Sequence, residues 1–263
     1  MSRLALIGGT GLENLSLKDY HTETVPTPYG EVQVNCGWLG EGQEAIAFMS
    51  RHGKTHAIPP HLVNYRANIW ALKELGVSKI LATAAVGSLS TRYKLGDLVL
   101  VEQFLDFTKS RPQTFYEGAD SGVLHVDMTE PYCHSMQGDI HKAAEKLKVA
   151  LKDGATYVCT EGPRFETPAE IKMYQMLGGE LVGMTSVPEV VLAKELGMCY
   201  AAIAMVTNEA AGIANHPLTH AEVLESMKTM DKTVARLIEE TFRTIRPEQD
   251  CRCGLANAEV GKF

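Results

Sequence analysis

Short apolar runs that end in glycine or small polar residues, each followed by a stretch of helical spacing, recur along the chain and restrict what it can fold into. Leu4–Ile7 runs into Gly8-Gly9-Thr10-Gly11, and residues 44–49 run into Ser50-Arg51-His52-Gly53. Residues 61–75 carry apolar positions at helical spacing and stop at Gly76, after which Lys79–Thr83 and Leu98–Val101 read as strands. The second half repeats the logic. Tyr157-Val158-Cys159 leads into a polar loop, and Pro168 opens a helix that runs toward Leu177. Leu181–Met184 is a short strand, "PEVVLAKEL" a helix stopped at Gly197, Ala201–Val206 a strand, and 221–243 a long amphipathic helix. Apolar runs of this length bounded by turns suit strands buried on both faces. Alternation with helices makes a parallel or mixed sheet covered by helices the economical arrangement.

The chain has 263 residues, enough for one large domain or two small ones, but no repeat, linker or break in composition divides it. The expectation is a single α/β domain over residues 1–245 with a mixed, largely parallel twisted sheet, followed by a tail at 246–263. A composition 45% hydrophobic and 22% charged is that of an ordinary globular protein. The formal charge of −7 argues against nucleic acid or an anionic membrane as partner, although a local basic pocket could still hold a small anion. No signal peptide and no apolar run long enough to span a bilayer are visible, so a cytoplasmic location is expected.

Six cysteines are present, most of them in apolar runs where the residue behaves as a small hydrophobe. Cys251-Arg252-Cys253 stands apart. Metal sites usually pair such a motif with a second Cys pair or histidines, and none follows it, so no metal is expected. A bridge between Cys251 and Cys253 stays open.

In sheets of this kind, ligands sit at the carboxyl ends of strands, which makes the residues there the ones to collect. They are Thr10, Arg51, His52, Ala84, Ala85, Phe165, Glu166, Met184, Thr185 and Asn208. The glycine-rich turn around Thr10 can offer N–H groups and a hydroxyl to an anion, although such a turn is more often only a turn. It lacks the third glycine of a dinucleotide fingerprint (Asn14 stands there) and the lysine of a phosphate-binding P-loop. Arg51 at a strand tip suits bidentate contact with phosphate or carboxylate; alone it could equally be a surface ion pair. With Thr10 and Thr185 on other strand tips, a phosphate site is the better reading. Phe165 offers a face for a heterocycle, Glu166 accepts from ring N–H groups, and Asn208 both donates and accepts, a combination that can read a purine with oxygen at position 6. Each has a plain alternative, since Glu166 lies before a Pro-opened helix and Asn208 ends a strand.

The segments IGGTG, SRHG, NYRANIWALKELG, ATAAVGSL, EGPRFETPAE, GMTSVPEVVLAKE and TNEAAG, in this order, resemble the trimeric purine nucleoside phosphorylase / methylthioadenosine phosphorylase family over residues 3–245. The resemblance implies a partly barrel-like sheet and phosphorolysis of purine ribonucleosides to free purine and ribose 1-phosphate, without metal, cofactor or covalent nucleophile. Phosphate would lie on Thr10, Arg51, His52, Ala84, Ala85 and Thr185, ribose over Met184, and the base against Phe165, Glu166 and Asn208. Glu209 and Ala210 would line the same wall. His125 would complete the site of a neighbouring subunit in a trimer or dimer of trimers.

Methylthioadenosine enzymes of this family carry Asp residues at the base-reading strand end. Here that end reads Thr207-Asn208-Glu209-Ala210, which resembles the 6-oxopurine enzymes, as does His220 near the expected 5'-hydroxyl. The rest of the scaffold is closer to the methylthioadenosine branch. Specificity lives in the pocket, so the expected substrates are inosine and guanosine, in purine salvage, with 5'-methylthioadenosine or 5'-methylthioinosine as the alternative. A hydrolase of the same superfamily and a non-catalytic nucleotide sensor are weaker readings, because the anion set and the purine set are both present.

Overall fold

The computed structural model describes residues 3–8, 15, 17–39, 45–53, 57–214, 217–245, 251–256 and 258. Its strands and helices run, in chain order, β1 (Arg3–Gly8), β2 (Leu17–Val25), β3 (Val32–Leu39), β4 (Ala45–Ser50), α1 (Tyr65–Glu74), β5 (Val77–Ser88), β6 (Leu98–Phe107), α2 (His134–Leu147), β7 (Leu151–Thr160), α3 (Pro168–Met176), β8 (Leu181–Gly183), α4 (Ser186–Glu195), β9 (Cys199–Glu209) and α5 (His220–Thr244).

All the strands form one sheet in the order β2-β3-β4-β1-β5-β8-β7-β6-β9, and β9 also pairs with β5. That extra ladder closes β5, β8, β7, β6 and β9 into a ring, and β1 to β4 extend from it. The pairings β1–β4, β1–β5, β5–β9, β6–β7 and β7–β8 are parallel, while β2–β3, β3–β4, β5–β8 and β6–β9 are antiparallel. The fold is a single α/β domain with a mixed, partly closed sheet flanked by helices.

Strand β9 is buried from Cys199 to Thr207 and lies parallel to β5, from Lys79↔Cys199 to Ser88↔Glu209. Helices α2 and α5 cover one side of the sheet, with Met136, Ile140, Val234, Leu237 and Ile238 in one apolar cluster. Helices α1 and α4 cover the other, with Ile69, Leu72, Val190 and Leu192. Each such side chain contributes about 1.5–3 kcal/mol on burial. Capping boxes fix where α3 and α5 begin: Thr167 with Glu170, and Thr219 with Glu222. Among the described residues no helix is long and apolar enough to cross a membrane.

Four elements depart from the sequence reading. Strands β2 and β3, which pair antiparallel from Val25↔Val32 to Leu17↔Leu39, are absent from the sequence reading; β2 is an edge strand with exposed polar residues, whereas β3 does alternate, with Val32, Val34 and Cys36 buried. Helix α2 ends at Lys148 in the left-handed conformation, without the glycine that would have marked its stop. Strand β5 runs on to Ser88, so Ala84 and Ala85 lie within it and not just beyond its end.

Candidate active site

A cavity of about 350 Å³ opens at the ends of β4, β7, β8 and β9 and along the last third of β5. It reaches α5 through His220, and its volume suits a nucleoside-sized ligand.

At one end stands Arg51, the first residue after β4 and only 2% exposed. Its Nε and Nη2 donate to Glu189 Oε2 and Oε1 at 2.8 and 2.7 Å, and its Nη1 donates to the Thr83 carbonyl at 3.1 Å. Burial alone would weaken the charged guanidinium, but the Glu189 carboxylate more than reverses this. Three of the five N–H groups are thereby used, and Arg51 lines the cavity with two more to offer, a fork suited to an oxyanion. Glu189 itself is buried completely and also accepts from the Tyr200 hydroxyl at 2.7 Å.

His52 lines the cavity beside Arg51. The Ile58 carbonyl can only accept, so His52 Nδ1, 2.8 Å from it, carries the proton in that bond. Among the described residues the β1–β5 register runs to Ile7↔Ala82, and Ala84 and Ala85, a little further along β5, line the cavity. Thr185 opens α4, and its backbone N–H donates to the Tyr157 hydroxyl at 3.2 Å.

At the other end the loop after β7 presents Phe165 and Glu166. Phe165 is 37% exposed, which leaves a ring face for stacking. Glu166 accepts from the Thr160 hydroxyl at 2.7 Å, and its carboxyl is raised above the usual range chiefly by desolvation. The loop is anchored on both sides. Arg164 grips Glu170 of α3 through both Nη atoms at 2.9 and 2.7 Å. Buried Arg111 donates to the carbonyls of Thr160, Glu161 and Val187, tying the end of β7 to the start of α4.

Asn208, near the end of β9, has its amide oriented by two neighbours. The Thr207 hydroxyl donates to Oδ1 at 2.9 Å, and Nδ2 donates to the Glu209 carbonyl at 2.8 Å. One N–H and one lone pair stay available. The amide has room because residue 87 is glycine: a Cβ there would lie 3.1 Å from Asn208 Nδ2 and 3.2 Å from Val182 Cγ1. Between the two ends, Met184 lies so close to Gly162 that its Sδ would be 2.6 Å from a Cβ at that position.

Of the residues collected from the sequence, Arg51, His52, Ala84, Ala85, Phe165 and Glu166 share this one cavity, and so do Met184, Thr185, Asn208, Ala210 and His220. Thr10 lies outside the described residues. The side chain of Glu209 is exposed and does not line the cavity, which corrects its placement on the wall; what it offers is the carbonyl that holds Asn208. His125 is exposed and lies outside this chain's own cavity. Sequence reasoning missed Glu189, Thr160 and Gly87. For Glu189 a signal existed, an acidic residue within the apolar run of "SVPEVVLAKE".

The phosphorylase superfamily profile matches residues 3–243. The chain belongs to that superfamily. It is 50% identical to the 6-oxopurine nucleoside phosphorylase of Pyrococcus furiosus, over 96% of this chain and 97% of that one. It is 49% identical to a chain of Methanopyrus kandleri named "Probable S-methyl-5'-thioinosine phosphorylase", over 99% and 100%. A superfamily member of known structure, the methylthioadenosine phosphorylase of Schistosoma mansoni in complex with adenine, matches with a TM-score of 0.91 at 34% identity, over 99% of this chain and 98% of that one. Like these superfamily members, the chain is a pentosyltransferase.

Proposed function

We propose that this enzyme phosphorolyses 6-oxopurine ribonucleosides, inosine and guanosine, to the free purine and ribose 1-phosphate, a step of purine salvage. The observation that carries the reading is the pairing, in one cavity, of the braced Arg51 fork with the oriented amide of Asn208. Arg51, His52, Thr185 and the β5 backbone at Ala84–Ala85 hold phosphate below the ribose, with Thr10 as a further donor. Met184 packs on the sugar, and Phe165 on the base.

Asn208 Nδ2–H donates to O6, and its free Oδ1 lone pair accepts from N7–H once the departing purine anion has taken up a proton there from solvent. Ionised Glu166 accepts from N1–H. As the glycosidic bond breaks, electron density moves onto the purine, and the bond from Asn208 Nδ2–H to O6 strengthens where that charge develops. Phosphate is already held and oriented, so the attack on C1' is effectively intramolecular. A 6-aminopurine reverses the polarity at N1 and at position 6, leaving Glu166 and the Asn208 N–H without partners.

His220 supports a hydroxyl at the 5' position, while Leu218 and Val223 beside it favour an apolar 5' group. That mixture keeps 5'-methylthioinosine as the second reading, in line with the relative of that name. The exposed His125 fits a role in a neighbouring subunit's site, and with it a trimer or a dimer of trimers.

The test is phosphate-dependent cleavage of inosine, guanosine, adenosine, methylthioadenosine and 5'-methylthioinosine. Dominant turnover of inosine and guanosine supports the proposal, and dominant 5'-methylthioinosine supports the second reading. Turnover without phosphate indicates a hydrolase, and a preference for adenosine or methylthioadenosine removes the argument from Asn208.

A further inference from the structure

From three distant parts of the chain, Cys133, Cys199 and the pair Cys251 and Cys253 bring their sulfurs within 4.8 Å of each other. Cys133 precedes α2, and its backbone N–H donates to the Tyr200 carbonyl at 2.8 Å, which sets it beside Cys199 at the start of β9. The other two come from the short segment 251–256. It packs on the turn before β9, where a Cβ on Gly197 would be 3.4 Å from the Gly254 carbonyl oxygen. Cys199 and Cys251 sulfurs are 3.3 Å apart. Cys133, Cys199 and Cys253 are buried in the apolar cluster that holds Met136, Leu237 and Ile245, and Cys251 is half-buried.

We propose that these four cysteines form a closed site for one thiophilic divalent cation of the zinc class, which fastens segment 251–256 to α2 and β9. No Cys or His follows Cys251-Arg252-Cys253 in the sequence; its partners precede it by more than fifty residues and meet it only in the fold.

Tetrahedral zinc, with sulfurs at about 2.3 Å, sets them about 3.8 Å from one another. The observed separations bracket that distance, from 3.3 Å for Cys199–Cys251 to the outer bound of 4.8 Å. A disulfide needs two sulfurs at about 2 Å and gains nothing from a third and fourth beside it. Here all four converge on one point. Four protein ligands leave no open position, so the site is structural and not catalytic. Binding converts four thiols and M²⁺ into a tetrathiolate complex and releases four protons, with no change of oxidation state. Cys133 sits at the N-terminus of α2, whose N–H groups favour a negatively charged sulfur.

The test uses the full chain produced in zinc-supplemented medium without a histidine tag. Elemental analysis should find about one zinc per chain, and cobalt(II) added to the metal-free chain should give thiolate-to-metal charge-transfer and tetrahedral ligand-field bands. Cys199→Ser and Cys253→Ser should each lose both signals, and Cys36→Ser should keep them. Stoichiometry and the cobalt spectrum of the native chain stand even where a variant fails to fold. A native chain without zinc whose thiols give no cobalt bands overturns the proposal. So does an intact, non-reduced mass lower by two or four hydrogens, which marks one or two disulfides in place of the cation.

Discussion

Arg51 and Glu189, 138 residues apart, form a two-bond ion pair of 2.7 and 2.8 Å with neither side chain more than 2% exposed. The pair fixes the plane of the guanidinium in the wall of the cavity before any anion arrives. Water cannot reach the carboxylate to compete, and the Tyr200 hydroxyl satisfies another of its lone pairs. Holding a cationic fork in place in this way lowers the reorganisation needed when phosphate binds.

Glu189→Gln should therefore raise KM for phosphate by about tenfold or more while changing KM for inosine far less, because the amide no longer holds both nitrogens of the fork. It should also cost about 3–5 kcal/mol of stability, since Arg51 is left buried without its counter-charge. Initial rates over a phosphate series, beside a denaturant melt, check both. Equal changes in the two KM values would show that Glu189 serves the core and not the anion end.

Arg51→Ala removes the fork itself. About 10- to 100-fold weaker phosphate saturation is expected, the loss of two charge-assisted hydrogen bonds, with nucleoside binding largely kept. Arg51→Lys should rescue little, because one ammonium cannot engage both oxygens of Glu189 and an anion in the plane of a guanidinium. Isothermal titration with phosphate separates the two variants from a folding defect.

Much of this cavity could be read in the chain because its residues sit where apolar runs stop: Arg51 after β4, Met184 after β8 and Asn208 at the end of β9. The runs announce strands, and strand ends in such sheets face ligands. What could not be read depends on contacts between distant segments. Glu189 lies in a helix whose pattern is apolar, and nothing local pairs it with Arg51. Gly87 matters only because Asn208 lies across the β5–β9 ladder from it. The charged edge strand β2 carries no apolar alternation, because one side of it faces water.

Gly87→Ala tests that clearance. The backbone at position 87 accepts any residue, but the new Cβ would stand 3.1 Å from Asn208 Nδ2 and 3.2 Å from Val182. The amide must shift by a few tenths of an ångström, enough to misalign it with O6 and N7. A fall of about tenfold or more in kcat/KM for inosine is expected, with KM for phosphate unchanged. A variant as active as the parent would mean that the amide has slack.

Glu166 predicts a pH dependence. Its carboxyl titrates above the usual value because burial disfavours the charge. Only the ionised form accepts from N1–H, so kcat/KM for inosine should fall on acidification, starting at a higher pH than an ordinary glutamate would give. The sign for stability is opposite: with the folded value raised, the stabilising contribution is present at low pH and is lost as pH rises through that value. Glu166→Gln should remove this acid limb and lower the plateau, whereas Asp106→Asn outside the cavity should leave the profile alone.

The 5' end of the cavity sets the last prediction. His220 is the first residue of α5, held there by the Thr219–Glu222 capping box, and Leu218 and Val223 flank it. If the imidazole bonds the 5'-hydroxyl, His220→Leu leaves that hydroxyl unpaired against three apolar neighbours. Inosine should then lose about tenfold or more in kcat/KM, while 5'-methylthioinosine should hold or gain, since its methyl group prefers such a wall. The ratio of the two substrates is the quantity to follow, because a general loss of activity cancels from it. A ratio that does not move places the 5' group elsewhere and returns His220 to a helix-terminal role.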